Sequence, residues 1–277
     1  MPAVRSSDPQ RYSIRAVSRA VDLLDAIGEK PYSDLSSLAR AVHLDPSTTL
    51  RYLDSLRQRG LVRQQPNGAY ELGARLFELG SAFARGLSIW GQADELARDL
   101  AAKANETASL GVLDDGQVLY IAIANGQREL GIQSSPGVRH PAHCTALGKA
   151  MLAAVAPNSV ETLISARPLI RLTNKTIVDL GDLRRELDRT SRRGYSVDDE
   201  ERTEGVLCIG APICDHTGRA VAAISISGPK FRMVKHGIGS QGRVVMAAAA
   251  AASARLGLSI ATSSGGRDQR LKVRSVR

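Results

Sequence analysis

DLSSLARAV (34–42), HLDP (43–46), STTLRYLDSLRQRG (47–60) and LVRQQPNGAYELG (61–73) follow one another without a break. They read as helix, turn, helix and hairpin. Leu35, Leu38 and Val42 form a short apolar stripe at helical spacing. Asp45-Pro46 predicts a new helix start: the carboxylate caps free N–H groups, and proline at the first helical position loses no hydrogen bond. Leu50, Leu53 and Leu56 are expected on its inner face, and Gly60 ends it. Leu61–Gln65 and Ala69–Leu72 are predicted strands, joined through Pro66-Asn67-Gly68. Two short helices followed by a two-stranded wing place the second helix in a DNA major groove.

Upstream, Ser13 is the expected N-cap of a helix carrying Ile14, Val17, Val21, Leu24 and Ile27, with Gly28 ending the run. Downstream, Leu76, Leu79, Phe83 and Leu87 predict a connecting helix reaching about Trp90. A second domain starts near Gly91 with a helix over 92–105. SLGVL, then Asp114-Asp115-Gly116, then QVLYIAIA predicts a hairpin, and Asn125-Gly126 marks another turn before RELGIQ. Helices are expected over about 143–155, 158–165, 179–193 and 239–256. VLCIGAPIC and AVAAISIS form a second hairpin across DHTG. Strands joined by turns, with helices in blocks, define an α+β class with an antiparallel sheet. The expected partition is a winged helix-turn-helix over 13–73, a linker helix over 74–90, an effector domain over 91–258 and a basic, disordered tail over 259–277.

The net charge of +9 suits a polyanionic partner, and the last 19 residues supply nearly half of the excess. Aromatic content of 4% argues against single-strand stacking platforms. Three cysteines without CxxC spacing fit a reducing cytoplasm and no disulfide framework. The N-terminus has no apolar signal segment. VVMAAAAAASARLGL from Val244 is too short and alanine-rich for a membrane span, so no membrane partner is expected.

On the helix after Pro46, a wheel anchored on the leucines places Ser47, Thr48, Arg51, Tyr52 and Ser55 on the exposed side. Arg51 can grip guanine bidentately or bind phosphate, and Tyr52 can meet a thymine methyl. Arg63 and Asn67 in the wing are expected backbone contacts, with Arg15 and Arg19 as weaker candidates and His43 as a turn residue.

The ordered set SIRAVSRAVDLLDAI, LARAVHLDPSTTLRYLDSLRQRGLV, YELG, PAHCTALGKAMLA, RRGYSVDDEE and GVLCIGAPICDHTGRAVAAISISGP resembles the isocitrate-lyase-regulator (IclR) family of bacterial transcription regulators over about residues 13–258. The resemblance implies a GAF-like effector domain with a curved antiparallel sheet. It also implies a homodimer or pair of dimers through the DNA-binding and linker helices, and a small organic acid as effector. Carried over residue by residue, the acid meets backbone amides of Ala146 and Leu147, and Asp198, Cys208, Ser225 and Ser227 line the pocket. Ser225 and Ser227, two apart on a strand, share a face. The same four residues also have plainer roles: a turn cap for Asp198, solvent for the serines, packing for Cys208. His140 replaces an aliphatic residue common in the family and makes the pocket more polar, pairs with an acidic ligand, or points outward. Glu129 and Ile132 are further lining candidates.

Enzyme readings are weaker. His143-Cys144 are adjacent, so they do not form a nucleophile–base pair, and no third group orients them. His140, His143, Cys144 and Cys208 lack a metal-ligand spacing. Gly148-Lys149 lacks the remainder of a phosphate loop, since Ala150 stands where Ser or Thr is needed. The sequence is therefore expected to encode a cytoplasmic, ligand-responsive regulator of catabolic genes, binding a double-stranded operator without metal or cofactor. The alternatives are an acid-converting enzyme domain with secondary DNA binding, or an interaction module that has lost DNA binding.

Overall fold

The computed structural model describes residues 14–155, 160–162 and 168–258. They fall into two compact units, the first ending at Leu87 and the second beginning at Ser88.

The first unit contains α1 (Arg15–Glu29), α2 (Leu35–Ala41), α3 (Pro46–Gln58), β1 (Val62–Gln64), β2 (Tyr70–Leu72) and α4 (Ala74–Arg85). Asp34 and Asp45 cap α2 and α3, accepting from Ser37 N at 2.7 Å and Thr48 N at 2.9 Å. Between them His43 takes the left-handed conformation that closes the turn (φ 52°). β1 and β2 pair antiparallel. Leu23, Ile27, Leu38, Leu53, Leu56, Val62 and Tyr70 form the core.

Four local expectations are corrected in this unit. Ile14 is the N-cap of α1 and makes no side-chain capping bond, while Ser13 lies outside the described residues. α1 runs through Gly28 to Glu29, and its stripe splits: Leu23 and Ile27 are buried, whereas Ile14, Val17 and Val21 are exposed. On α3 the interior position belongs to Thr49 rather than Leu50, which is 47% exposed. Thr49 can lie inside because its hydroxyl donates to Asp45 O at 2.9 Å. α4 stops at Arg85 with Gly86 as its C-cap and does not reach Trp90, which opens a separate 3-10 turn.

The second unit contains α5 (Ala93–Ala104), β3 (Thr107–Asp114), β4 (Gln117–Ala124), β5 (Arg139–Pro141), α6 (Ala146–Ala153), α7 (Leu180–Arg193), β6 (Ser196–Asp199), β7 (Val206–Cys214), β8 (Ala220–Pro229), α8 (Lys230–Lys235) and α9 (Ile238–Arg255). Six antiparallel strands lie in the order β5-β4-β3-β8-β7-β6. α6 and α7 close a core with Val118 and Ala223, while α5 and α9 pack together against the sheet. Among the described residues no helix is long and apolar enough to cross a membrane.

RELGIQ does not form a strand. Gly126 lies against the Asn105–Glu106 backbone and Gly131 against Thr107, so this segment leaves the edge of β4. That edge is paired instead by β5. β6 was not anticipated: SVDD lacks an apolar alternation, because its inward residues are Ser196 and Asp198. The helix expected over 143–155 begins at Ala146, since Thr145 is extended and caps it. Of the helix expected over 158–165, residues 160–162 are helical and the others lie outside the described residues.

Candidate effector cavity and nucleic-acid interface

Strand register builds the floor of a cavity in the second unit. Asp198 lies opposite Cys208, Cys208 opposite Ser227, and Ser227 opposite Thr107. Two residues along, Gly210, Ser225 and Ser109 form a second row. Two glycines let α6 approach these rows. A Cβ on Gly210 would stand 2.9 Å from the Ala146 backbone, and one on Gly148 would stand 2.2 Å from Ala142 O. Gly148 N is satisfied by Thr145 Oγ1 at 3.2 Å. The amides of Ala146 and Leu147 have no acceptor among the described residues.

The resulting cavity is about 240 Å³ and is lined by Thr107, Ser109, Tyr120, Gly131, Ile132, Gln133, Ser134, His140, Thr145, Ala146, Leu147, Asp198, Arg202, Thr203, Val206, Cys208, Ser225 and Ser227. It brings together Ala146, Leu147, Asp198, Cys208, Ser225, Ser227, His140 and Ile132. Glu129 does not line it and is exposed.

Asp198 has two tasks. Its Oδ1 accepts from Glu201 N at 2.8 Å and Arg202 N at 3.4 Å, so it does cap a turn, while it also faces the cavity. Burial pushes its carboxyl up from the ordinary range, against the pull of Lys149. Burial likewise raises the Cys208 thiol, with the Asp198 charge adding to it, so Cys208 remains a weak donor. His140 is held by Arg202 Nη2 at 2.8 Å from Nε2 and stands edge-on to Tyr120, with ring centroids 5.2 Å apart. Burial and the Arg202 charge lower its pKa to about 4. Of the three readings for His140, the outward-pointing one is set aside: the ring lines the cavity and accepts from Arg202, which is the cation among the lining residues. Arg202 and Tyr120 carried no sequence signal, because only the β6-β7 and β4-β5 pairings bring them here. Burial raises the Tyr120 phenol, which stays a hydroxyl donor.

A buried ion pair supports the cavity from behind. Lys149 on α6 is fully buried, and its Nζ donates to Val197 O at 2.5 Å and to the Glu201 carboxyl. Glu201 Oε2 has no partner among the described residues. Burial pushes the Glu201 carboxyl up to about 7 from the ordinary 4.5, although Lys149 pulls it down. Between these values the folded protein keeps a proton that the unfolded chain has released, so stability falls as pH rises through that window. Glu201→Gln is expected to flatten this fall between pH 4.5 and about 7, as checked by denaturant unfolding across that range.

His143 Nε2 lies 3.2 Å from Ile170 O, and Cys144 Sγ donates to Pro141 O at 3.7 Å. The two residues stand in a 3-10 turn rather than on a helix. Burial, with the Asp198 and Glu201 charges, pushes the Cys144 thiol up to about 12, the opposite of an activated nucleophile. Among the described residues no group of His, Cys, Asp and Glu is arranged to hold a metal ion.

In the first unit, burial of Thr49, Leu53 and Leu56 sets the open face of α3. Arg51 lies at its middle, exposed and with no hydrogen-bond or ionic partner among the described residues. Ser47 and Ser55 are exposed, but their hydroxyls donate to Asp45 Oδ1 at 2.6 Å and Arg51 O at 2.9 Å. Thr48 is half-buried on the flank. Tyr52 is corrected: it packs on the core cluster, since the wheel anchored on Leu50 was rotated. Leu50 takes an exposed flank instead. In the wing, the Arg63 guanidinium is engaged by Glu71 across the hairpin, and Asn67 Oδ1 accepts from Ala69 N at 3.1 Å to shape the turn.

A winged helix-turn-helix joined to a sheet unit with a polar internal cavity defines a DNA-binding regulator that responds to a small ligand. Comparison with known proteins gives the family. Residues 16–66 match the IclR helix-turn-helix domain and residues 82–254 match the bacterial transcriptional regulator IclR C-terminal domain. The HTH-type transcriptional regulator BhcR of Paracoccus denitrificans is 37% identical over 79% of this chain and 79% of its own. The transcriptional repressor IclR of Escherichia coli is 34% identical over 90% and 92%. The crystal structure of the Thermotoga maritima IclR superposes with a TM-score of 0.74 at 30% identity, covering 88% of this chain and 100% of that one. The chain belongs to the IclR family of bacterial transcriptional regulators.

Proposed function

We propose that this regulator binds a small organic acid in the cavity beneath α6 and couples that binding to its hold on a double-stranded operator. The observation that carries this reading is the meeting of free helix-start amides, Arg202 and a polar strand row around a space of about 240 Å³. Amides at a helix start favour an anion without needing a charged side chain. Ser225 and Ser227, with Cys208 and Asp198, supply hydrogen bonds that fix the acid's orientation. The ligand acts on DNA affinity only through a difference in its affinity for two arrangements of the protein.

On the DNA side, α3 enters the major groove with Arg51 as base reader, and Ser47, Thr48 and Ser55 contribute near it. Arg63 and Asn67 position the wing on the backbone. The protein acts as a homodimer, or a pair of dimers, on two half-sites. Exposed Val17 and Val21 on α1, and Phe77 (80% exposed) and Phe83 on α4, support that association. The protein works in the cytoplasm and does not turn its ligand over; the protonated, hydrogen-bonded Cys144 supports the latter.

Calorimetric titration of organic acids into the intact protein tests the cavity. Asp198→Ala is expected to weaken the best acid about 10-fold, the scale of a lost hydrogen bond to a charged group. Unchanged affinity in that variant rejects the assignment.

A further inference from the structure

We infer that Arg202 and His140 form a second anion subsite in the cavity, so that the effector is a short diacid with a hydroxyl group between its acids. This narrows the proposed effector reading and rests on it.

Arg202 is the starting point. Its guanidinium is half-buried and faces the cavity, and no carboxylate among the described residues lies within ion-pairing distance. Its contacts there are neutral: Nη2 donates to His140 Nε2 at 2.8 Å, and Nη1 to Thr203 Oγ1 at 3.2 Å. A guanidinium carries five N–H donors in a planar fork that fits a carboxylate; the Asp198 charge acts on it through space, but that carboxylate bonds the Arg202 backbone amide and leaves the fork open. The protein has instead used a ring nitrogen to aim the fork. His140 is itself fixed edge-on by Tyr120. Because the imidazole is neutral, it adds no repulsion toward Arg202 and does not compete for an incoming anion.

The first anion position is the start of α6, where the Ala146 and Leu147 amides are free. Arg202 follows β6, on a different element, and adds a separate anchor. Two acids alone would still meet a third carboxylate, because Asp198 faces the same cavity. A hydroxyl on the ligand resolves this by donating to Asp198, turning a repulsive neighbour into a hydrogen-bond partner. Lys149 and Glu201, the other charges near this wall, are engaged with each other. An apolar cavity of about 150 Å³ accepts benzene, so the volume here suits a diacid of about four to six carbons with a water or two.

The test is calorimetry on the intact protein with malate, tartrate and 2-hydroxyglutarate, against lactate and butyrate as single acids. Arg202→Gln and Arg202→Lys are compared with the parent, and unchanged melting temperatures establish that each variant folds. The parent is expected to bind at least one hydroxy-diacid at least 10-fold more tightly than lactate. Arg202→Gln should weaken that diacid by about 10- to 100-fold while changing lactate by less than 3-fold, with Arg202→Lys between. Equal losses for diacid and lactate in Arg202→Gln, or lactate binding as tightly as any diacid in the parent, overturn the second subsite and leave the acid-effector reading standing. Binding of none of these acids, single or double, overturns both.

Discussion

Lys149→Met is expected to destabilise the protein by about 3–5 kcal/mol at pH 8, the scale of a buried ion pair deprived of one partner. Lys149 has no solvent exposure and reaches Glu201 from the second turn of α6. Methionine fills similar volume but removes the cation that pulls the Glu201 carboxyl down, so the buried carboxyl must either stay charged without compensation or take up a proton at a pH where the unfolded chain is ionised. The double variant Lys149→Met, Glu201→Leu removes both charges and is expected to recover most of the loss, since apolar replacements of buried pairs are often neutral or better. Denaturant unfolding of the three proteins at pH 8 measures this. A double variant no more stable than the single one would show that packing rather than charge dominates here. The consequence reaches the cavity, because Glu201 precedes Arg202 and both amides are held by Asp198. The single variant should therefore also lose effector affinity.

Arg51→Ala is expected to reduce operator affinity by about 1–3 kcal/mol for each half-site, roughly 5- to 150-fold per half-site, while leaving the fold intact. Arg51 is exposed, and its side chain makes no contact that the core of the first unit needs. Its helix is capped by Asp45 and packed through Thr49, Leu53 and Leu56, all independent of the guanidinium. The loss should be accompanied by relaxed preference at one base position, which separates base reading from a phosphate contact. Arg63→Ala, by contrast, should weaken all sequences alike and reduce the salt dependence. Fluorescence anisotropy with operator and single-base variants distinguishes the two. Unchanged operator affinity for Arg51→Ala rejects this side of α3 as the groove-reading face.

The helix-turn-helix was legible because its signals are local. Asp34, Asp45-Pro46 and Pro66-Asn67-Gly68 each act within a few residues, and the caps and hairpin follow from them. The misplacement on α3 has an equally local origin. Leu50 looks like core by composition, but Thr49 can be buried once its hydroxyl is satisfied by Asp45 O, and that rotates the wheel and carries Tyr52 inward. In the second unit, the alternation of β7 and β8 made the shared face of Ser225 and Ser227 readable. Arg202 was not readable, because its role depends on β6 pairing with β7 and on His140 arriving from β5, 62 residues away. Lys149 stood in plain view as part of a helix, yet its partners Val197 and Glu201 arrive from β6 and the residues after it, 48 and 52 positions away.

The most direct measurement is binding of the intact protein to DNA upstream of its own gene and of the divergent neighbouring gene, with and without the organic-acid panel. A sequence-specific complex, steeply weakened by salt and shifted in affinity by at least one acid, is the predicted result. A specific complex that no acid shifts, although the acids bind, would contradict the coupling of cavity to operator.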